Sequence, residues 1–147
     1  MDKAATEVPA RKDRWARAVA YGLLAEVATI ITIVVVVVVY KQVVATGLSE
    51  AEYAAFGERV GGLLGLVAGT IFTFIFARML MPRLSWHFVA HGLVVAAAAI
   101  ALSVGGSMLG HRGVPAAYLW ASALKLVAGA LAGFLYSKQP PHNQPGA

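Results

Sequence analysis

Long apolar runs, separated by short polar segments, dominate this chain of 147 residues. A bilayer core takes roughly 20 helical residues to cross. Four runs reach about that length, and they cover residues 18–40, 60–81, 86–104 and 115–136. The connecting segments are too short to hold a separate soluble domain. The pattern therefore predicts an all-α membrane protein, with a four-transmembrane-helix bundle over residues 14–137.

The segments at the ends of the chain and before the second apolar run are polar. Residues 1–13 and 138–147 are predicted to be poorly ordered tails. Ser49 and Glu52 have the spacing of a capping box, so a helix is expected to start there. This helix either lies on the membrane surface, with a bend near Gly57, or continues straight into the second membrane helix.

Two further residues mark helix starts in the second half of the chain. Ser85 is expected to cap the third helix, because its hydroxyl can accept a hydrogen bond from a free backbone N–H. Pro115 is expected in the first turn of the fourth helix, where its missing N–H does no harm.

Composition and charge support a membrane location. Hydrophobic residues make up 59% of the chain and charged residues only 13%, too few to cover a soluble domain. Eight of the twelve lysine and arginine residues lie in the first 17 residues, around the loop after the second helix or at Lys138, so the positive-inside rule predicts that both termini are cytoplasmic. We expect a bacterial inner membrane protein, whose net charge of +5 reflects this topology and contact with anionic lipid rather than nucleic-acid binding.

Motifs for catalysis or for a cofactor are not found. The chain has no cysteine, which excludes disulfides and thiolate metal sites. His87 and His91 have a metal-ligand spacing, but no acidic residue accompanies them, so we expect no metal and no cofactor. Phosphate loops, nucleophile elbows and paired catalytic carboxylates are also missing. The chain is therefore expected not to be an enzyme.

Similar segments recur in the two halves of the chain. The segment LVAGTIFTFIFAR starts at Leu66 and LVAGALAGFLYSK at Leu126, while VAYGL starts at Val19 and VAHGL at Val89. A duplicated helical hairpin would produce these pairs, although alanine, valine, glycine and leucine are so common here that chance is an alternative. A duplication of this kind predicts halves related by a twofold axis along the membrane normal.

Small residues form a ridge on two of the helices. Gly61, Gly65 and Gly69 recur every four residues in the second helix, and Gly129 and Gly133 do so in the fourth. Ridges of this type allow close helix packing in lipid, where apolar burial cannot drive association. The partner helix can belong to the same chain or to another one.

Two charged residues lie near the middle of an apolar run. Glu26 and Lys125 are each eleven residues from an aromatic residue, Trp15 or Tyr136, that is expected at the cytoplasmic interface. Both should thus lie about 16 Å deep. Because an isolated charge is costly in hydrocarbon, we predict that they pair inside the bundle. The alternatives are that Glu26 exchanges protons or contacts a substrate, with His91 as a proton relay, or that it snorkels toward the interface.

The segment LLAEV, which ends with Glu26 and Val27, resembles the first helix of small multidrug resistance exporters. The resemblance covers about five residues and implies a glutamate shared by protons and cationic substrates. The chain departs from those exporters in its central Lys125, its strong charge bias and its longer first outer segment, so we assign no family on this basis.

The sequence thus favours a helix-packing or oligomerising component without catalysis, with the lipid bilayer and either a second copy or another membrane protein as partners. The alternative is a proton-coupled small transporter or channel that uses Glu26.

Overall fold

The computed structural model describes residues 11–109 and 116–139, which are helical apart from short connections. The helices are α1 (Arg11–Val39), α2 (Glu50–Leu80), α3 (Phe88–Leu109) and α4 (Ala116–Ser137). Each is long and apolar enough to span a membrane. The prediction of four long apolar helices is therefore confirmed. Most of the two predicted tails lies outside the described residues, and so does Pro115.

The helices extend beyond the apolar runs from which they were predicted. α1 begins at Arg11 instead of near residue 18, and α2 begins at Glu50 instead of near residue 60. The Ser49 hydroxyl accepts a hydrogen bond from the Glu52 N–H, and the Glu52 carboxylate accepts one from the Ser49 N–H, which completes the predicted capping box. α2 then continues without interruption through Gly57, so the straight continuation is the correct alternative.

The predicted cap of α3 is wrong. α3 begins at Phe88, three residues after Ser85, and the Ser85 hydroxyl instead accepts a hydrogen bond from the Arg14 guanidinium at 2.7 Å. This bond joins the start of α1 to the connection between α2 and α3. His87, which precedes the helix, has a φ of +54°, an uncommon conformation for a residue with a side chain.

A network of side chains holds the connection between α1 and α2. α1 ends in a π-helical turn, Tyr40–Val44, and the chain then reverses before α2. The Tyr53 hydroxyl donates a hydrogen bond to the Ala45 carbonyl at 2.7 Å and accepts one from the Leu48 N–H at 3.2 Å. The ring of Tyr40 stacks on Phe56 with 3.6 Å between the centroids. These contacts fix how α2 returns beside α1.

The four helices form a ring in the order α1, α2, α4, α3. α1 packs against α2 and α3, and α4 packs against the same two helices, so α1 and α4 lie diagonally opposite each other. We call the end at which α1 begins and α4 ends the terminal end, and the end with the α1–α2 connection the loop end. The twofold axis predicted from the repeated segments is wrong, because such an axis would place α1 diagonally opposite α3, and these helices are neighbours.

The core of the bundle lies toward the terminal end and combines small residues with larger ones such as Leu80 and Met81. Its buried members include Ala18 of α1, Ala77 of α2, Val95 of α3 and Ala132 of α4, none of which is measurably exposed. Small side chains let the backbones approach closely, which increases the dispersion contacts between helices. The terminal half of the bundle is therefore tightly closed.

Candidate functional site

Glu26 and Lys125 contact each other in the middle of the bundle. Lys125 Nζ donates a hydrogen bond to Glu26 Oε2 over 2.5 Å, and the two residues are only 3% and 5% exposed. Because α1 and α4 are diagonal in the ring, the ion pair crosses the centre of the bundle. Two opposite charges in contact lower the cost of burying each one, although replacing such a pair by apolar groups is often no less stable.

Gly69 of α2 makes room for this crossing. A β-carbon at position 69 would stand 2.8 Å from the Lys125 ε-carbon and 3.6 Å from the Thr29 methyl group. The lysine stem therefore lies directly on the backbone of α2 on its way to Glu26. A residue larger than glycine would displace the end of the lysine, because a separation of 2.8 Å is shorter than ordinary carbon contacts.

A partly enclosed cavity of about 470 Å³ extends from the ion pair toward the loop end. All four helices contribute to its wall. Glu26 and Lys125 lie at the closed end, and Gly61 of α2, Gly106 of α3 and Tyr118 of α4 lie nearer the loop end. The volume is within the roughly 300–1,000 Å³ that is usual for small-molecule sites.

The two glycine ridges differ in what they contact. On α4, Gly129 packs against the backbone of Gly92, and Gly133 packs against the backbone of Phe88. These glycines join α3 to α4 so closely that a β-carbon would overlap the facing carbonyl. On α2, nothing lies near a β-carbon built at Gly65, and only Ile33 lies near one built at Gly61. Both of these α2 glycines line the cavity.

His91 lies apart from the ion pair, toward the terminal end. Its ring is buried and stacks on Trp15, with 4.1 Å between the ring centroids, and its Nδ1 lies 2.9 Å from the His87 carbonyl oxygen. Its Nε2 is buried and has no hydrogen-bond partner among the described residues. The structure therefore brings Glu26 and Lys125 together and places His91 outside their contact.

Reasoning from the sequence identified the charged end of the cavity and missed its wall. Thr29, Ser103 and Tyr118 add hydroxyl groups to the lining, and Ile30, Ile33 and Leu102 add apolar surface. Single serine and threonine residues in an apolar helix give little signal, because their hydroxyls commonly bond to the preceding turn, as Thr29 does to the Ala25 carbonyl. The one indication of this lining in the sequence was the four-residue spacing of Ser103 and Ser107 along α3.

The arrangement has the chemistry of a binding chamber. A carboxylate and an ammonium at its closed end can each exchange their mutual hydrogen bond for one to a ligand, and both interactions are strengthened where water is scarce. The tightly packed residues on the terminal side of the pair, among them Ala96 and Ala128, close the path in that direction.

Comparisons with known proteins leave the site to be interpreted from its geometry. The chain has no significant match to a protein-family model, to a curated protein or to a solved structure.

Proposed function

We propose that this chain is a small solute transporter or channel that binds its cargo in the central cavity and does not catalyse a reaction. The observation that supports the proposal is the placement of the Glu26–Lys125 pair at the closed end of a 470 Å³ chamber. A charged pair retained only for packing has no need of such a space. The cavity therefore reverses the order of the two functions considered from the sequence.

The proposed location is a bacterial inner membrane with both termini in the cytoplasm. Four helices of sufficient length and apolar character support a multi-pass protein. The excess of lysine and arginine at the terminal end supports this orientation. On this proposal the cavity faces away from the cytoplasm.

Thiol labelling tests the chamber, because the chain has no cysteine of its own. Ser103 lines the cavity, whereas Ala99, one turn away on α3, is completely buried. In proteoliposomes, a small charged thiol reagent should modify Ser103→Cys and leave Ala99→Cys unmodified until detergent unfolds the protein. Modification should also slow the swelling of these liposomes in a panel of small solutes.

The two positions give a clear contrast. Equal protection of both cysteines would show that water does not enter the chamber, and the proposal would then be wrong. Modification of Ser103→Cys without any effect on swelling would show an accessible pocket that does not conduct solute. That result would reject transport, and the proposal would then be limited to solute binding.

A second candidate is association with another membrane helix, for which a groove offers a complementary shape, because helices in lipid associate through close packing. The groove has a volume of about 360 Å³ and lies between α2 and α4, with Ile71, Phe74, Val127 and Leu131 in its wall. Val127 is 61% exposed, so a cysteine there would meet a partner chain readily. Val127→Cys should form disulfide-linked dimers in membranes if two copies meet at this groove, and Val35→Cys, on the exposed face of α1, should not.

A further inference from the structure

The cavity carries one negative and one positive group and no other charged lining residue in the part of the chain that the structure describes. Its formal charge is therefore zero when both groups are ionised. A small cation drawn to Glu26 would be repelled by Lys125, and a small anion drawn to Lys125 would be repelled by Glu26. Like charges close together in a poorly solvated site raise the free energy strongly.

We propose that the ligand of this cavity is a small zwitterion, an inference that rests on the proposed function and names its substrate class. The carboxylate of the ligand binds Lys125 and its ammonium binds Glu26. One ion pair within the protein is then exchanged for two between protein and ligand, and neither charge is left without a partner. A ligand with a single charge leaves one of the two protein groups unpaired, which is costly when that group is buried.

The geometry of the pair also selects the spacing of the charges in the ligand. Lys125 Nζ and Glu26 Oε2 are 2.5 Å apart before a ligand binds, so a ligand whose two charges lie close together has to separate these groups least. In an α-amino acid the ammonium and the carboxylate are attached to the same carbon, which meets this condition. A zwitterion with several carbons between its charges would have to fold back on itself to reach both.

The wall of the cavity indicates what the rest of the ligand is. Ile30, Ile33 and Leu102 present apolar surface in the cavity wall, and Gly61 and Gly65 leave space because they have no side chains. A branched apolar side chain would bury its surface there, which is favourable because apolar surface is removed from water. The best fit is thus an α-amino acid with an aliphatic side chain.

A competition experiment on the unmodified protein tests this inference. Radiolabelled L-leucine is equilibrated with the full chain in lipid nanodiscs and competed with 3-methylbutylamine, 4-methylpentanoate and 6-aminohexanoate. The first two compounds lack one charge of leucine, and the third is an isomer of leucine with separated charges. We expect saturable binding of leucine. Each competitor should bind at least about tenfold more weakly than unlabelled leucine, since it lacks one charge-assisted hydrogen bond or has its charges too far apart to make both.

The outcomes separate this inference from the proposed function. If the amine or the acid displaces the label as well as leucine does, the cavity binds solutes but does not require a zwitterion. If 6-aminohexanoate competes equally, the requirement for adjacent charges is wrong. Absence of saturable leucine binding up to about 10 mM would overturn the substrate class, while modification of Ser103→Cys would still report on the chamber itself.

A variant gives a second, independent readout. Lys125→Met removes the positive group and leaves the carboxylate of Glu26, so the folded variant should bind 3-methylbutylamine more tightly than L-leucine. An unchanged preference for leucine in this variant would overturn the assignment of Lys125 as the carboxylate partner. If the variant does not fold, the competition on the unmodified protein decides the question.

Discussion

Lys125 lies across Gly69 in such close contact that its ε-carbon would be only 2.8 Å from a β-carbon at that position. The pair between Lys125 and Glu26 thus depends on a third residue that carries no charge. The helix is regular at position 69, so its backbone conformation does not require glycine there. Glycine is needed because a side chain would take up space that Lys125 occupies.

Gly69→Ala should disturb the ion pair without removing either charge. The added methyl group displaces the flexible end of Lys125, so we expect a loss of about 1 kcal/mol in the free energy of unfolding, at the low end of the range for overpacked interiors. Unfolding in mixed detergent micelles measures it. Gly65→Ala is the matched control one turn away, because nothing lies within 4 Å of a β-carbon there. Equal losses in both variants would show that the lysine is not the cause.

Removing one member of the ion pair should be more harmful than removing both. Glu26→Gln or Lys125→Met leaves a buried charge without its partner, at a cost of about 3 to 5 kcal/mol. The double variant should recover a large part of that loss, since it buries no charge. Unfolding free energies of the four proteins give the coupling energy directly. Strictly additive losses would mean that the two groups do not stabilise each other.

The contact between α3 and α4 should be intolerant of a single methyl group. Gly92 and Gly129 pack backbone against backbone, and a β-carbon at position 92 would overlap the Gly129 carbonyl. Gly92→Ala is expected to lower the free energy of unfolding by about 1 to 3 kcal/mol. Gly105→Ala on the same helix meets no atom within 4 Å and should be neutral or stabilising by up to about 1 kcal/mol. A neutral Gly92→Ala would contradict the close packing.

The start of α2 should depend on the hydroxyl of Ser49. Ser49→Ala removes the acceptor for the Glu52 N–H, and we expect this to cost about 1 kcal/mol. Hydrogen exchange of the amides in the first turn of α2 should rise accordingly. Ser49→Asp keeps an acceptor at the same position and should leave the exchange rates close to those of the original chain. If both variants exchange alike, the cap does not hold this helix end.

The long apolar helices could be predicted because membrane-spanning helices leave a strong signal. About 20 apolar residues in a row have few structural alternatives, and the capping box at Ser49 marked the start of α2 correctly. The order of the helices in the ring could not be obtained in this way. Repeated segments such as those at Leu66 and Leu126 suggest related helices, but a repeat does not state which helices become neighbours.

The candidate site could likewise be predicted only in part. Equal depth in the membrane was sufficient to propose that Glu26 and Lys125 meet, because burying two single charges separately is expensive. Depth alone did not reveal that the pair crosses the centre between diagonal helices. The empty space beside Gly65 was also unpredictable, since a glycine creates close packing or an opening according to what faces it. On α4, Gly129 does the first, and on α2, Gly65 does the second.

The separation of the charged partners along the chain has a consequence for biogenesis. Glu26 and Lys125 are 99 positions apart, and ribosomes add about 5 to 20 residues per second. The acid therefore leaves the ribosome seconds before its base exists. In a bilayer, the newly made first hairpin must keep that acid shielded by the insertion machinery or uncharged until α4 arrives. Completion of the ion pair is accordingly a late step of assembly, and a chain truncated before α4 should be a target for quality-control proteases.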